Sequence, residues 1–454
     1  MRGEQLKLLP VSLGCDKNLC DLEEMLGALS RRGFIITEDE READIILVNS
    51  CAFIGDAREE SINTIIEMAA YKKNAGDKGV CRLLIVTGCL AQRYAEEIRE
   101  EIPEVDAVIG TTAYDEILNV IDRCLTGERV FLLKDINRSP LMEGKRFLTT
   151  GGHYAYLKIA EGCDKHCSYC IIPKLRGSYR SVPMDILVKK AGEMVEDGVK
   201  ELILVAQETT LYGTDLYGKK SLTGLLEKLC RLEGLNWIRI LYAYPEEIDD
   251  ELIDLMAKED KICKYIDMPI QSGSDRILKR MGRRTNREEL EGLIDKLRKR
   301  IPGIVIRTTL ISGFPGETVE DHIESYNLAD EMEFDRMGVF TYSPEEGTAA
   351  FGFDGKVLEE IKEERREELM LLQQEIAFEK AEKMAGRVFQ VFVEGFLPDE
   401  GVYVGRTYMD APDVDGLIFF ESDRSLMSGD MVSVKVTASK EYDLIGELID
   451  EYSK

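Results

Sequence analysis

Three closely spaced cysteines are the residues of this chain best suited to do chemistry. Cys163, Cys167 and Cys170 stand in the segment EGCDKHCSYCIIP, with a C-x3-C-x2-C spacing. A structural zinc site normally takes four ligands, whereas an iron–sulfur cube held by three cysteines keeps one iron open to another molecule. The spacing therefore predicts a reactive 4Fe–4S cluster. A partial zinc loop and an electron-carrying cluster are the alternatives that it leaves.

A second set of cysteines follows strand-like segments near the start of the chain. Apolar runs alternate there with amphipathic helical patterns, which predicts a parallel sheet flanked by helices. Cys15, Cys51 and Cys89 each stand at the carboxyl end of a predicted strand, within SLGC, NSC and TGC. In a doubly wound sheet these ends lie along one edge, where ligands bind. We therefore expect the three thiols to converge and to hold a second cluster.

The rest of the chain has two further patterns. Six strand-like segments separated by helical ones predict an incomplete parallel barrel with its active site at the carboxyl ends of the strands. Five short alternating runs from Val388 onward predict a small antiparallel barrel. The predicted domains are 1–133, a doubly wound parallel α/β domain; 134–153, a linker; 154–385, an incomplete (β/α)6 barrel; and 386–454, an OB-like antiparallel β-barrel.

The chain is strongly acidic. Its 86 Asp and Glu exceed its 59 Lys and Arg, for a formal net charge of −27. Affinity for nucleic acid depends on Lys and Arg that neutralise phosphates, so this charge argues against nucleic acid as a direct substrate and favours a basic partner. The acidity extends to the last domain, where five Lys and Arg stand against fourteen Asp and Glu from Val388 onward.

Cysteine usage and hydropathy predict the cellular compartment. Eleven cysteines without a secretion-type leader favour reduced thiols and metal ligation over a disulfide framework. Charges interrupt every apolar run before it reaches the roughly 20 residues of a membrane span. We therefore expect a cytoplasmic protein with no membrane association.

Several motifs resemble those of the methylthiotransferases. They are SLGCDKN, NSCAFI, TGCLAQRY, EGCDKHCSYCIIPKLRG, DRILKRMGRRT, RTTLISGFPGET and GVFTYSPEEGT. The resemblance covers essentially the whole chain and implies an N-terminal methylthiotransferase domain, a central radical S-adenosylmethionine (SAM) domain and a C-terminal TRAM barrel. The implied ligands are Cys163, Cys167 and Cys170 for the radical SAM cluster, and Cys15, Cys51 and Cys89 for an auxiliary 4Fe–4S cluster. The thiols that match no ligand position, and that we expect to be buried or incidental, are Cys20, Cys81, Cys124, Cys230 and Cys263.

The resemblance also implies a radical mechanism with two uses of SAM. One molecule methylates a sulfur associated with the auxiliary cluster, and another is reduced at the open iron to a 5′-deoxyadenosyl radical that removes a hydrogen from the substrate. The substrate radical then captures the methylthio group. The reduction needs a low-potential electron donor of the flavodoxin or ferredoxin type.

The resemblance places the SAM contacts at several positions. Tyr169 is expected near the adenine and Ser272 near the ribose. Gln207 and Glu208 follow the second barrel strand, where members of the family contact the SAM amino group. The turn Gly313-Phe314-Pro315-Gly316 follows the fifth strand and either lets backbone approach the nucleoside or is simply a tight Pro-Gly turn. His166, inside the cysteine loop, is expected to face solvent.

Two substrate classes compete within the family. One branch modifies adenosine beside the tRNA anticodon, and the RimO-type branch adds a methylthio group to the β-carbon of an aspartate in small-subunit ribosomal protein twelve. VFVEGFLPDEGVYVGRTYMDAPDVDG resembles the RimO-type branch, whereas QSGSD at residues 271–275 resembles the tRNA branch. The acidic barrel favours a basic ribosomal protein over a polyanionic tRNA. We therefore predict the RimO type, with a tRNA methylthiotransferase and a non-catalytic iron–sulfur electron carrier as alternatives.

Overall fold

The computed structural model describes residues 5–73, 78–140 and 144–449, which form two compact units. Unit 1 comprises Met1–Thr149, Ala160–Val182 and Ser343–Thr348, and unit 2 comprises Thr150–Ile159, Pro183–Tyr342 and Ala349–Lys454. Each unit combines separate segments of the chain that pack together. The units therefore do not test the predicted domain boundaries, which stay predictions. Residues 141–143 of the predicted linker and residues 450–454 of the predicted last domain lie outside the described residues.

Unit 1 is built on a six-stranded parallel sheet in the order β2-β1-β3-β4-β5-β6. Its strands are β1 Lys7–Ser12, β2 Ile35–Ile36, β3 Ile45–Ser50, β4 Leu83–Gly88, β5 Ala107–Ile109 and β6 Val130–Leu132. Its helices are α1 Asp16–Arg32, α2 Gly55–Ala69, α3 Cys89–Arg93, α4 Ala95–Glu101, α5 Ile117–Leu125 and, after the cysteine triplet, α6 Ile172–Arg176. This arrangement confirms the predicted doubly wound domain.

The central strands of this sheet are buried on both faces. Every residue of β3 and β4 is buried, and separate apolar clusters cover the two sides of the sheet. Burial on both faces is why these strands read as continuous apolar runs instead of alternating patterns. The strand order reverses between β1 and β3, so a topological switch point lies at their carboxyl ends.

The described part of the predicted linker belongs to unit 1 up to Thr149 and packs along α1. Arg146 pairs with the buried carboxylate of Glu23, and the backbone N–H of Thr149 donates to the same carboxylate at 2.7 Å. The described residues of this segment contain neither helix nor strand. They are nevertheless held by specific polar contacts.

Unit 2 contains a second six-stranded sheet, in the order β7-β10-β11-β12-β13-β14, in which all pairings are parallel. Its strands are β7 Tyr154–Lys158, β10 Glu201–Val205, β11 Trp237–Ile240, β12 Ile262–Asp267, β13 Val305–Ser312 and β14 Arg336–Thr341, while β8 Ala160–Glu161 and β9 Arg180–Ser181 form a short antiparallel pair in unit 1. The helices of unit 2 are α7 Met184–Glu196, α8 Thr214–Tyr217, α9 Leu222–Cys230, α10 Asp250–Lys258, α11 Asp275–Met281, α12 Arg287–Arg300, α13 Val319–Met332 and α14 Glu359–Glu382. The first and last strands do not pair, which confirms the predicted incomplete barrel.

The last part of unit 2 is a closed five-stranded barrel, as predicted. Its strands are β15 Val388–Leu397, β16 Val402–Arg406, β17 Ile418–Glu421, β18 Met431–Lys440 and β19 Asp443–Leu448. Four of its pairings are antiparallel, and β17 pairs with β19 in parallel. Among the described helices of both units, none combines the length and apolarity needed to cross a membrane.

Candidate functional site

The three N-terminal cysteines follow neighbouring strands of the unit 1 sheet. Cys15 comes after β1, Cys51 directly after β3 and Cys89 directly after β4, and these strands are adjacent in the order β1-β3-β4. Gly14 has a left-handed backbone (φ 89°), and a Cβ at this position would lie 2.6 Å from Cys51 Cβ and 2.9 Å from Cys51 Sγ. Only glycine allows the loop that carries Cys15 to approach Cys51 this closely. The three cysteines therefore meet at the switch point.

The electrostatics of these thiols agree with their convergence. Burial, together with the neighbouring Cys89 and Cys15, raises the pKa of Cys51 to about 12. Burial also raises the pKa of Cys89. Three facing thiolates in a buried place need a nearby positive charge to exist as anions, and ligation to iron supplies one. The site fits a cluster that takes three protein ligands.

The cysteine triplet also lies in unit 1, within a loop that the β8–β9 pair closes at its base. Cys163 donates its backbone N–H to the Gly177 carbonyl at 3.1 Å, and Cys170 donates to the Cys167 carbonyl at 3.0 Å. Burial raises the pKa of Cys170 to about 12, with further contributions from Cys167 and Cys163. His166 is exposed, as predicted. These three thiols also form one group.

Among the described residues, no group of three or more His, Cys, Asp or Glu side chains is arranged to hold a single metal ion. A cube does not require its ligands to meet at one point, because each cysteine binds a different iron. The two sets of three thiols in one compact unit suit two cubes. The assignment of the six cysteines as ligands stays a prediction.

Polar residues that the sequence did not single out surround the N-terminal set. Asn18 donates from Nδ2 to the Ser50 carbonyl at 3.0 Å and accepts from Cys89 Sγ at 3.8 Å. Ser61 both accepts from the Cys51 N–H and donates to the Cys51 carbonyl, each at 2.9 Å. Asn18 lies in the motif SLGCDKN, but nothing in a single sequence distinguishes it from an ordinary helix residue.

The segment after β14 contributes to the same unit. Arg93 donates to Glu345 at 2.6 Å and to the carbonyl of Ala52, the neighbour of Cys51, at 3.3 Å. Ser343 accepts from the backbone N–H of Gly55 at 3.2 Å. Part of the motif GVFTYSPEEGT therefore helps to hold the loop that carries Cys51.

The predicted SAM contacts lie in different units. Tyr169 belongs to unit 1, and the other positions belong to unit 2. Gln207 is half-buried and Glu208 is fully buried just after β10, and Glu208 accepts from the Thr210 N–H at 2.8 Å. Ser272 is buried, with its Oγ 3.3 Å from Ser325 Oγ. SAM binding by these residues stays a prediction.

The Gly-Phe-Pro-Gly turn after β13 has an evident packing role. Gly313 has φ 71°, and a Cβ there would lie 2.2 Å from Lys362 Cγ. The N–H of Gly316 donates to the Gly355 carbonyl at 2.7 Å, and Phe314 is fully buried against Tyr342. Close packing against α14 therefore accounts for the glycine at residue 313 without a nucleoside. Contact between this turn and SAM stays a prediction.

Two strained residues at the carboxyl ends of neighbouring strands were not predicted. Tyr242 after β11 has φ 59°, and Gln271 after β12 has φ 75°. The Tyr242 N–H donates to Asp267 Oδ2 at 3.1 Å, and Arg307 donates to Asp267 Oδ1 at 3.1 Å. Left-handed backbone at non-glycine residues costs free energy and concentrates at functional sites. Neither Tyr nor Gln signals such a conformation in sequence.

The cysteines without a predicted ligand role are buried or half-buried. Cys20, Cys81, Cys124 and Cys263 are buried and Cys230 is half-buried, which confirms that part of the prediction. Burial raises the pKa of Cys81 to about 11 and that of Cys263 to about 12. Cys81 and Cys263 are therefore protonated and neutral at pH 7.

Family models match three parts of the chain. They are the uncharacterized protein family UPF0004 at residues 7–110, the radical SAM superfamily at residues 157–329 and the TRAM domain at residues 385–449. Among solved structures, the radical SAM methyltransferase TsrM from Kitasatospora setae matches with a TM-score of 0.55 at 13% identity, covering 85% of this chain and 81% of that one. The cobalamin-dependent radical SAM enzyme OxsB matches with a TM-score of 0.52 at 14% identity, covering 81% of this chain and 56% of that one. These two matches support the fold.

Relatives of much higher identity extend over the whole chain. A protein of Lachnoclostridium phytofermentans named ribosomal protein uS12 methylthiotransferase RimO is 60% identical over 97% of this chain and 99% of its own length. Proteins of the same name from Acetivibrio thermocellus and Clostridium botulinum are 49% and 48% identical, each over at least 98% of both chains. This chain therefore belongs to the RimO family of radical SAM methylthiotransferases.

Proposed function

We propose that this protein adds a methylthio group to the β-carbon of an aspartate in ribosomal protein uS12. The observation that carries the proposal is the 60% identity, over 97% of the chain, to a relative named for that reaction. The two strand-end sets of cysteines within unit 1 support it, because methylthio transfer needs one site for SAM cleavage and one for sulfur. The protein uses SAM and two 4Fe–4S clusters.

The residues of this chain have distinct tasks in that reaction. Cys163, Cys167 and Cys170 would hold the first cluster, whose chemistry with SAM would give a radical able to remove a hydrogen that side-chain bases cannot, and the sulfur to be methylated would be associated with the second cluster. Cys15, Cys51 and Cys89 hold that second cluster at the switch point of the unit 1 sheet. Tyr169, Gln207, Glu208, Ser272 and the turn 313–316 are the proposed SAM contacts.

The TRAM barrel is the proposed docking surface for uS12. A groove of about 930 Å³ on the barrel is lined by six acidic residues and only two basic ones. The acidic residues are Glu400, Glu421, Asp423, Glu441, Asp443 and Glu447, and the basic ones are Arg424 and Lys440. Apolar side chains, including Phe419 and Ile445, complete its lining. An acidic groove with apolar walls suits a basic protein segment and repels a polyanion such as tRNA.

The two alternatives from the sequence have less support. The electron-carrier prediction is wrong, because the chain belongs to a family of enzymes. The tRNA alternative rested on QSGSD at residues 271–275. Packing in unit 2 explains part of that segment, since Gly273 is closely packed against Ser325 and Ser274 donates to Asp321 at 2.7 Å. We therefore keep uS12 as the substrate.

Mass spectrometry of the product tests the proposal directly. Reconstituted, reduced protein is incubated with SAM and either 30S subunits containing uS12 or unmodified tRNA. We expect an added CH2S on one aspartate of uS12 and no change in the tRNA. The same increment on a tRNA nucleoside, with uS12 unmodified, would refute the proposed substrate.

Two further proposals concern the setting of the reaction. A flavodoxin- or ferredoxin-type protein delivers the electron, because reductive cleavage of SAM needs a low potential. The protein works in the cytoplasm. The eleven cysteines support this location, since none of them forms a disulfide.

A further inference from the structure

A buried arginine connects segments that flank the two sets of cysteines in unit 1. Arg176 is the last residue of α6, which follows the cysteine triplet, and its side chain is 2% exposed. It pairs with Asp21 of α1 at 2.6 Å and with Glu161 at 3.1 Å, and it donates to Asn18 Oδ1. Glu161 stands two residues before Cys163. Arg176 therefore contacts both the helix after Cys15 and the segment that leads into the triplet.

Asn18 extends this network to the N-terminal cysteines. Its Oδ1 accepts from Arg176 and lies 3.8 Å from Cys89 Sγ, and its Nδ2 donates to the Ser50 carbonyl, next to Cys51, at 3.0 Å. Because Oδ1 accepts from Arg176, the amide cannot turn over without losing this bond and placing its NH2 against the guanidinium. Arg176 thus fixes the orientation of the side chain that connects the loops after β3 and β4.

A fully buried guanidinium is expensive to desolvate unless specific partners compensate for it. Two carboxylates could compensate for a buried arginine anywhere in unit 1, as the carboxylate of Glu23 does for Arg146. Arg176 instead shares Asn18 Oδ1 with Cys89 Sγ, so that its positive charge lies one side chain away from a proposed ligand of the auxiliary cluster. The position of Arg176 therefore indicates a role at the N-terminal cysteines in addition to its ion pairs.

We propose that Arg176 is a positioning residue that links the two cluster sites and sets the electrostatic environment of the auxiliary one. Through Asn18 it holds the loops after β3 and β4, and through Glu161 it holds the entry to the triplet loop. Its charge favours the reduced, more negative state of a cluster on Cys15, Cys51 and Cys89. This inference rests on the cluster assignment in the proposed function, but it is independent of the substrate.

The test isolates the auxiliary cluster from the radical SAM cluster. The full chain carrying Cys163→Ala, Cys167→Ala and Cys170→Ala is reconstituted with iron and sulfide, and the reduction potential of the remaining cluster is measured by EPR-monitored titration. In this background Arg176→Gln removes the charge and Arg176→Lys keeps it. Arg146→Gln removes a buried arginine of the same unit that is paired with Glu23 and is the matched control.

We expect Arg176→Gln to lower the ratio of reduced to oxidised cluster about tenfold at a fixed potential, a shift of about 59 mV for a one-electron couple. Arg176→Lys should restore most of the reduced fraction, and Arg146→Gln should leave it unchanged. Equal potentials for Arg176→Gln and Arg146→Gln would overturn the proposal. A background protein that holds no iron while Arg176 is intact would also overturn it, because the auxiliary site itself would then be misassigned.

A second variant covers the case in which Arg176→Gln does not fold. Glu161→Gln removes one of the compensating carboxylates and leaves Arg176 in place. The reduction potential of the auxiliary cluster should then rise, because Arg176 keeps its positive charge while a negative charge is lost. An unchanged or lower potential contradicts the proposal. In the otherwise native chain we expect Arg176→Lys to form less methylthiolated product per 5′-deoxyadenosine than Arg146→Gln, since Lys lacks the fork that fixes Asn18. Failure of the uS12 assay alone would leave the measured potentials, and this inference, intact.

Discussion

At the scale of single residues, the tasks proposed for the two sets of cysteines are separable by mutation. We expect Cys163→Ala to abolish SAM cleavage and Cys51→Ala to spare cleavage but lose methylthio transfer. In each variant the iron content should fall from about eight to about four atoms per chain, because we propose that each set holds one cube. Iron analysis and quantification of 5′-deoxyadenosine and of modified uS12 measure these outcomes.

The control for the cysteine variants is Cys81→Ala. Cys81 is a fully buried thiol of the same sheet domain that donates to the Leu83 carbonyl at 3.2 Å, and it has no predicted ligand role. We expect this variant to keep its full iron content. Full methylthio transfer by Cys51→Ala would show that no cluster needed for the reaction is held there.

Gln271 allows the strain at the strand ends to be measured. Its backbone is left-handed (φ 75°) because its N–H donates to Thr309 and its carbonyl accepts from Ile311, at 2.8 and 2.9 Å. Substitution of Gln271 by Ala or by Gly removes the side-chain amide, but only Gly also lacks the Cβ and so relieves the backbone strain. We expect Gln271→Gly to be more stable than Gln271→Ala by about 1 kcal/mol in urea denaturation.

Product formation separates strain from side-chain function at this residue. If the Gln271 side chain contacts SAM or substrate, both variants lose activity to a similar extent despite their different stabilities. The control pair is Glu333→Ala and Glu333→Gly, at another left-handed residue (φ 40°) at the end of α13. Their stabilities should differ in the same sense, and their activities should match that of the wild type. Equal stability of the two Gln271 variants would contradict the strain argument.

At the scale of elements, the sequence predicted the strands and helices that hold the cysteines, because buried parallel strands leave a strong apolar signal. The convergence of Cys15, Cys51 and Cys89 also followed from their places at strand ends. The strand order, which puts a switch point beside β1 and β3, is not encoded in any local pattern. Nor are the contacts of Arg176 and Asn18, which join residues 158 positions apart. Long-range contacts of this kind need the tertiary structure or an alignment of homologues.

The TRAM barrel is fixed to the sheet of unit 2 by a buried ionic network. Arg406, at the end of β16, pairs with Glu201 of β10 at 2.9 Å and with Glu394 at 2.5 Å. Glu201 also pairs with Arg239 of β11 at 2.9 Å, and Arg239 donates to the Tyr408 carbonyl at 2.8 Å. Glu201 and Arg239 are fully buried, so removal of one partner leaves an incompletely compensated charge.

We expect Arg406→Met to lower the free energy of unfolding of unit 2 by about 3 kcal/mol. Urea denaturation followed by fluorescence of Trp237 measures this loss, because this single tryptophan of the chain packs against Phe392 of the barrel with ring centroids 4.4 Å apart. The double variant Glu394→Gln/Arg406→Met should recover part of the stability, because Glu201 keeps its pair with Arg239. Arg300→Met, which breaks exposed pairs with Asp250 and Asp254, should cost less than about 1 kcal/mol. A similar loss in both single variants would contradict a special role for the buried network.

At the scale of the whole molecule, the negative charge favours one class of binding partner over another. The formal net charge of −27 weakens encounters with nucleic acid and strengthens those with basic proteins. In the TRAM barrel, Glu421 of β17 and Glu447 of β19 stand in register on neighbouring strands and both line the acidic groove. Like charges directly opposite each other destabilise a sheet. A basic segment of the substrate would relieve this repulsion.

Neutralising this pair should therefore raise the stability of the barrel and lower the activity of the enzyme toward uS12. We expect Glu421→Gln/Glu447→Gln to raise the urea midpoint slightly and to lower kcat/KM for uS12 about tenfold, equivalent to about 1.4 kcal/mol. Substrate-independent SAM cleavage should not change, since neither residue belongs to a proposed cluster site.

The matched control is Glu364→Gln/Glu367→Gln, which removes the same charge from the exposed side of α14. The advantage of the wild type should shrink as salt screens the groove. Equal losses of kcat/KM in both double variants would show that net charge, and not the groove, attracts the substrate.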